Sequence, residues 1–273
     1  MFTEGITETD IYHGLTRIHN GIFYYLPPDC YSNSAIYEIS LSDNTKEKYF
    51  TDISNYAIGQ NGYIYTVAPH STTFGNDYHV NRDIIKFYSG TTEKINDEEN
   101  YFNSFAVSAD KNILFTYFNC ITDETGYSLY SPEGKKLYDF QLPEEFQGEI
   151  LSIKSTDSGE KIYLTENETG RILCYEPEKN DLNEVSALNE MITNPEESQF
   201  FNVKANGGKY DFCISEYTDD YKRYYGYNAD TGEITFLFED TEGLDITDFT
   251  VAEDDTIYCL SGQTDTIYSI SAE

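Results

Sequence analysis

The segment Gly159-Glu160-Lys161-Ile162-Tyr163-Leu164-Thr165, followed across Glu166–Arg171 by Ile172-Leu173-Cys174-Tyr175, decides the fold. A polar turn opens onto a short aromatic and aliphatic run, and a second turn leads into a second run. Short stretches of Ile, Tyr, Phe, Val and Thr bounded by Asn, Asp and Gly read as strands and turns. The same pattern returns along the chain: Asn20-Gly21 before Ile22-Phe23-Tyr24-Tyr25, Asn61-Gly62 before Tyr63-Ile64-Tyr65-Thr66, and Lys111-Asn112 before Ile113-Leu114-Phe115-Thr116. It continues with Gly207-Gly208-Lys209 before Tyr210-Asp211-Phe212-Cys213 and Asp254-Asp255-Thr256 before Ile257-Tyr258-Cys259-Leu260. The first residues of these runs stand at 22, 63, 113, 162, 210 and 257.

A second run follows each of these, as in Ile36-Tyr37-Glu38-Ile39, Tyr127-Ser128-Leu129-Tyr130 and Ile267-Tyr268-Ser269-Ile270. After most of them a tight turn such as Ser131-Pro132-Glu133-Gly134 leads into a further strand such as Lys136-Leu137-Tyr138-Asp139-Phe140. A strand also precedes each first run, for example Asn55-Tyr56-Ala57-Ile58 or Phe249-Thr250-Val251-Ala252. Four antiparallel strands in about 40 to 50 residues is the period of a propeller blade. The expected fold is therefore all-β, a single six-bladed β-propeller domain with blades near 12–50, 51–95, 96–141, 142–185, 186–239 and 240–273. The last blade lacks its outermost strand, and the segment 3–11 is expected to supply it and close the ring, removing exposed edges.

On these repeats the chain resembles the six-bladed β-propellers of bacterial proteins, of the general NHL-like or TolB-like kind. It is similar to propeller modules that accompany solute-binding or cell-surface domains. The Trp-Asp mark of WD40 repeats is absent, since the chain has no tryptophan, and the double glycine of kelch repeats does not recur. The resemblance implies a fold and carries over no functional residue.

Composition narrows the function. Seventeen Lys and Arg stand against 49 Asp and Glu, a formal net charge of −32 in 273 residues. Phosphate neutralisation needs a basic stripe, so nucleic acid is excluded as a partner, and the same field opposes an anionic bilayer. No run approaches the 18 or so apolar residues of a membrane span, so no membrane insertion is expected. Aromatic residues make up 16% of the chain, ample for a folded core. Five cysteines, an odd number with no C-x-x-C pair, argue against complete disulfide pairing and against a zinc knuckle. Cys174, Cys213 and Cys259 fall inside apolar runs and read as buried thiols. The amino terminus has no basic n-region and no apolar h-region. An extracellular or cell-envelope location is expected, with a signal outside this sequence, and a cytoplasmic one is the alternative. A monomer is expected.

In a propeller the second-to-third and fourth-to-first connections share one face. They are long and unequal here, at Leu26–Ser34, Val67–Arg82, Phe118–Thr125, Ser215–Arg223, Ile95–Asn103, Leu142–Glu149 and Ser186–Ser198, whereas the opposite turns are tight. Loop elaboration on a rigid repeat marks that face as the ligand or partner face. The longest loop, Ala68–Arg82, holds His70, Phe74, Asp77, Tyr78, His79 and Arg82; with Tyr217 and Tyr221 these form the expected partner face, the aromatic members serving as anchors or stacking platforms. His70, Asp77 and His79 have the donor types of a metal or general-base site, but a spacing of nine between the histidines matches no closed motif. The acidic pairs Glu98-Glu99, Glu144-Glu145, Glu196-Glu197, Asp219-Asp220 and Asp254-Asp255 fall in turns and read as solvated surface. No G-x-S-x-G, H-E-x-x-H, P-loop or dinucleotide fingerprint is present.

The leading expectation is a non-enzymatic module that binds a protein, peptide or glycan partner on the long-loop face without a cofactor. The competing expectation is a metal-dependent hydrolase, similar to lactonase propellers, with calcium or another divalent ion in the central channel.

Overall fold

The computed structural model describes residues 3–7, 15–19, 22–26, 35–40, 45–51, 56–58, 64–74, 77–88, 91–95, 101–107, 112–119, 124–131, 135–142, 146–192, 199–205, 209–263 and 266–270. In chain order β1 (Thr3–Thr7) is followed by β2 (Leu15–His19), β3 (Ile22–Leu26), β4 (Ala35–Ser40) and β5 (Lys46–Thr51). Next come β6 (Tyr56–Ile58), β7 (Ile64–Phe74), β8 (Asp77–Tyr88) and β9 (Thr91–Lys94), then β10 (Tyr101–Val107), β11 (Ile113–Asn119), β12 (Glu124–Tyr130) and β13 (Lys136–Phe140). β14 (Gly148–Thr156), β15 (Gly159–Glu166), β16 (Ile172–Glu176) and β17 (Asp181–Glu184) lead to the helix α1 (Ser186–Ile192). The chain then forms β18 (Phe200–Ala205), β19 (Phe212–Tyr217), β20 (Lys222–Asn228) and β21 (Glu233–Glu239), and ends with β22 (Ile246–Val251), β23 (Ile257–Ser261) and β24 (Thr266–Ile270).

Among the described residues these strands form six four-stranded antiparallel sheets. Five are consecutive meanders, β2 to β5, β6 to β9, β10 to β13, β14 to β17 and β18 to β21. In the sixth, β22, β23 and β24 are joined by β1, with Thr3 opposite Ser269 and Thr7 opposite Thr266. The strand paired to the outer side of β24 is β1.

Two compact units divide the chain, Met1–Thr51 with Val185–Glu273, and Asp52–Glu184. Among the described residues the second strands carry the most buried runs, and the fourth strands β13 and β17 are mostly exposed, whereas β21 buries Phe238. β19, Phe212-Cys213-Ile214-Ser215-Glu216-Tyr217, is buried through Glu216, whereas β17, Asp181-Leu182-Asn183-Glu184, is mostly exposed. Inner strands are covered on both faces and read as continuous apolar runs; charge on the outer strand discourages edge pairing with other chains.

In the unit Asp52–Glu184, a core of Leu114, Leu129, Ile153, Ile162 and Leu164 joins the sheets β10 to β13 and β14 to β17. A stack of rings crosses the same interface, Tyr127 on Phe140 at 5.2 Å and Phe140 on Tyr175 at 5.3 Å. In the other unit Tyr224 stacks on Phe238 at 4.4 Å, and Phe249 meets Tyr224 edge-on at 5.1 Å. The fully buried Tyr224 donates its hydroxyl to the Ile246 carbonyl at 3.1 Å, so β20 is pinned to β22 by packing and by a hydrogen bond. Lys204 of β18 forms an ion pair with Asp248 of β22 across the same junction.

Two expectations are corrected. Ala68–Arg82 is not a loop. β7 and β8 pair without interruption from Ile64 opposite Phe87 to Phe74 opposite Asp77. The two residues between, Gly75-Asn76, are a dipeptide that two-residue hairpin turns select, and the flanking Thr and Val residues suit strands. Likewise Ser215–Arg223 is largely strand, only Thr218–Tyr221 remaining as the connection between β19 and β20. A smaller difference is α1, which occupies the start of Ser186–Ser198 with Leu188 and Asn189 buried.

Candidate functional site

The expected site residues fall in two places. Tyr217 ends β19 and Tyr221 stands in the turn before β20, in the unit that holds residues 185–273. His70 and Phe74 lie on β7, and Asp77, Tyr78, His79 and Arg82 on β8, in the other unit. Pairing places His70 opposite Asn81, Thr72 opposite His79 and Phe74 opposite Asp77, one parity of the ladder; Tyr78, opposite Thr73, and Arg82, opposite Pro69, hold the other. On that register His70 and Asp77 are four residues apart along the ribbon, about 13 Å. Among the described residues no group of three or more His, Cys, Asp or Glu side chains is placed to hold a metal.

A pocket of about 300 Å³ opens at the loop end of the sheets β18 to β21 and β22 to β24 with β1. It is lined by the turn Thr218–Tyr221, by Lys222, by Asp240, Gly243 and Asp245 of the connection into β22, and by Gln263 of the connection into β24. These are second-to-third and fourth-to-first connections, the class of loop expected to form the partner face.

Local chemistry fixes each wall. Thr218 Oγ1 accepts from the Tyr221 amide at 3.0 Å, and the Thr218 amide donates to the Tyr221 carbonyl at 2.9 Å. The Asp240 carboxylate accepts from the amides of Leu244 and Asp245, each at 2.9 Å. Gly243 at φ 68° and Asp245 at φ 54° take the left-handed conformations that let the loop fold back onto that carboxylate. The Gly262 amide donates to the Asp245 carbonyl at 2.9 Å, tying the second wall to the third. Asp240 is thus occupied by backbone, and Asp245 pairs with Lys222. Asp219 and Asp220 stand exposed at the rim.

Tyr221 lines this pocket, and Tyr217 ends the strand that leads into its turn. Across the ladder Phe200 is opposite Tyr217 and Tyr217 opposite Lys222, one rung on one face of the sheet. Phe200 is 68% exposed, an unusual position for a phenylalanine on a strand. Lys222 Nζ lies 5.8 Å from the centre of the Tyr217 ring, and the Arg223 guanidinium lies 3.9 Å from that of Tyr221. Each of the two expected platforms is therefore already engaged by a cation of its own sheet.

Behind the turn lies a buried carboxylate that the sequence reading did not single out. Glu216 is 4% exposed and accepts from Gln199 Nε2 at 2.6 Å, Tyr221 Oη at 3.0 Å and Tyr225 Oη at 2.5 Å. Burial pushes its pKa up, but those three donors, with the nearby Arg223 charge, outweigh burial and hold it below the usual carboxylate range. Burial, and after it the bond to Glu216, pushes the Tyr225 hydroxyl up to about 12. The signal for Glu216 was a charged residue ending the buried run of β19. Phe200 carried no signal, because two adjacent phenylalanines at the start of β18 do not show which of them is exposed.

No family model matches the chain, and no curated protein sequence matches it. Solved structures do. The β-propeller domain of the trilobed protease from Pyrococcus furiosus, described by its open velcro topology, is 13% identical with a TM-score of 0.56, over 99% of this chain and 97% of that one. TolB from Acinetobacter baumannii is 12% identical with a TM-score of 0.54, over 98% of this chain and 65% of that one. The extracellular domain of the putative hybrid two component system BT4673 from B. thetaiotaomicron is 11% identical with a TM-score of 0.51, over 98% of this chain and 45% of that one. At these identities the likeness shows the fold alone: a β-propeller of the generic TolB-like kind.

Proposed function

We propose that the chain is a six-bladed propeller, closed by the pairing of β1 with β24, that acts as a non-enzymatic binding module. It takes a cationic side chain of a protein or peptide partner into the pocket between Thr218–Lys222 and Asp240–Asp245. The observation that carries this is the chemistry of the pocket. Asp240 and Asp245 are committed to the backbone and to Lys222, so Asp219, Asp220 and the Gln263 amide supply the rim, with the exposed Phe200 one strand away. An arginine or lysine has the charge for the rim and an apolar stem for the ring. An extracellular or cell-envelope location belongs to the same proposal, as does a divalent ion being dispensable to binding.

The test separates this pocket from the diffuse field of a −32 chain. A fluorescein-labelled hexapeptide of alternating Arg and Gly is titrated into the protein, into the double variant Asp219→Asn with Asp220→Asn, and into Asp157→Asn with Glu168→Gln, which makes the same charge change at exposed positions elsewhere. Affinity falls about tenfold in the first variant, equivalent to about 1.4 kcal/mol, and less than twofold in the second. Equal losses would refute a site at the pocket.

A further inference from the structure

The sheet β6 to β9 has two short outer strands around two long inner ones. β6 pairs only with Ile64–Thr66 of β7, and β9 only with Ile85–Tyr88 of β8. From Val67 opposite Ile84 to Phe74 opposite Asp77, β7 and β8 continue as a ribbon of eight rungs, with no third strand paired to it among the described residues. At about 3.3 Å per residue it extends some 26 Å. β10 lies near β8 but pairs only with β11. A two-stranded ribbon is marginal in water, and its edges are templates for a further strand.

The ladder tells the two edges apart. With two residues between them, Phe74 and Asp77 close the ribbon as a hydrogen-bonded pair. Bonded and non-bonded pairs alternate in an antiparallel ladder, so 72/79, 70/81 and 68/83 are bonded too. The non-bonded pairs are Thr73/Tyr78, Ser71/Val80, Pro69/Arg82 and Val67/Ile84, whose backbone groups point away from the partner strand. Proline therefore sits where the ladder loses nothing, and where the outer edge of β7 loses a donor. The outer edge of β8 keeps an amide and a carbonyl at each of Tyr78, Val80, Arg82 and Ile84.

We propose that the β8 edge from Tyr78 to Ile84 is a strand-addition site for an extended segment of a partner protein carrying net positive charge. Charge complementarity selects the occupant. The ribbon holds only Asp77 and Asp83 against Arg82, so it does not repel an incoming strand. The −32 field of the chain draws a basic segment in and repels a second copy of itself. Backbone bonds supply affinity and alternate side chains supply specificity.

The test uses the full chain and a labelled decapeptide of alternating Lys and Val, with its Glu and Val counterpart. Val80→Pro removes one outward donor from β8 and leaves the β7 to β8 ladder intact; Ser71→Pro does the same on β7. The Lys peptide binds the parent chain and Ser71→Pro alike, and Val80→Pro about tenfold more weakly. The Glu peptide does not bind. Amide hydrogen exchange on the parent chain, which needs no variant to fold, shows Tyr78, Val80, Arg82 and Ile84 protected by the Lys peptide. Equal binding by both proline variants, absence of that protection, or protection arising from self-association in sedimentation without peptide would overturn the proposal.

Discussion

Replacing Glu216 by glutamine removes a charge and almost no volume, so it isolates what the carboxylate contributes to the wall behind the pocket. In the parent one oxygen receives Gln199 and Tyr221 and the other receives Tyr225. Hydrogen bonds to an ionised partner are worth about 1.5–3 kcal/mol against about 0.5–1.5 for neutral ones, so three such bonds weaken by about 1 kcal/mol each. The glutamine amide also faces the Tyr225 hydroxyl donor to donor until that hydroxyl turns. Relief from burying a charge offsets part of this, leaving about 2 kcal/mol lost at pH 7. For a chain of this size that lowers Tm by roughly 4–8 °C. The pH dependence follows from the lowered pKa of Glu216. A carboxylate held below its unfolded value contributes stability above that value, near pH 4.3, and loses it as pH falls through the folded value. Thermal melts of Glu216→Gln and the parent are therefore expected to differ most at pH 7 and to converge below about pH 4. A difference under 1 °C at pH 7, or one unchanged between pH 7 and 3.5, would refute the account.

Two further outcomes are expected. Tyr224→Phe keeps the stack on Phe238 and loses only the hydroxyl bond to the Ile246 carbonyl; urea unfolding is expected to show a loss of about 0.5–1.5 kcal/mol, and no loss would mean that packing alone pins β20 to β22. Burial pushes the Cys174 thiol up to about 11 and the Cys259 thiol well above its ordinary value, and Cys213 is buried beside it. Cys174 and Cys259 stay protonated at pH 8, and Cys213 and Cys259 are buried while Cys174 is half-buried, so Ellman's reagent is expected to label no more than three of the five thiols before unfolding, and rapid labelling of four or more would contradict that burial.

The repeat was legible because each of its marks is local. A turn dipeptide and a four-residue apolar run act within a few residues of one another, and the run starts 22, 113, 162 and 257 fall inside β3, β11, β15 and β23, the second strands of their sheets, whereas 210 precedes β19 by two residues and 63 lies outside the described residues. Thr3–Thr7 pairs with β24, and residues 8–11 of the segment expected there lie outside the described residues. The hairpin β7 to β8 was expected as a loop because its stretch carries Pro69 and many polar residues and no clear alternation of apolar side chains. Whether a proline breaks a strand depends on which way its nitrogen points, and that is fixed by a partner strand ten or more residues away.

The site depended on distance in a way the strands did not. Tyr217 and Tyr221 were visible as loop aromatics, but their engagement by Lys222 and Arg223, the burial of Glu216 among three donors and the exposure of Phe200 depend on how neighbouring strands and sheets meet. The sequence alone determined the strand count per repeat and the negative field of the chain, since these follow from pattern and composition. Only the tertiary structure decided which carboxylates are spent on backbone, which remain at the pocket rim and which edge of the ribbon is open, because each is a matter of what long-range pairing leaves unpaired.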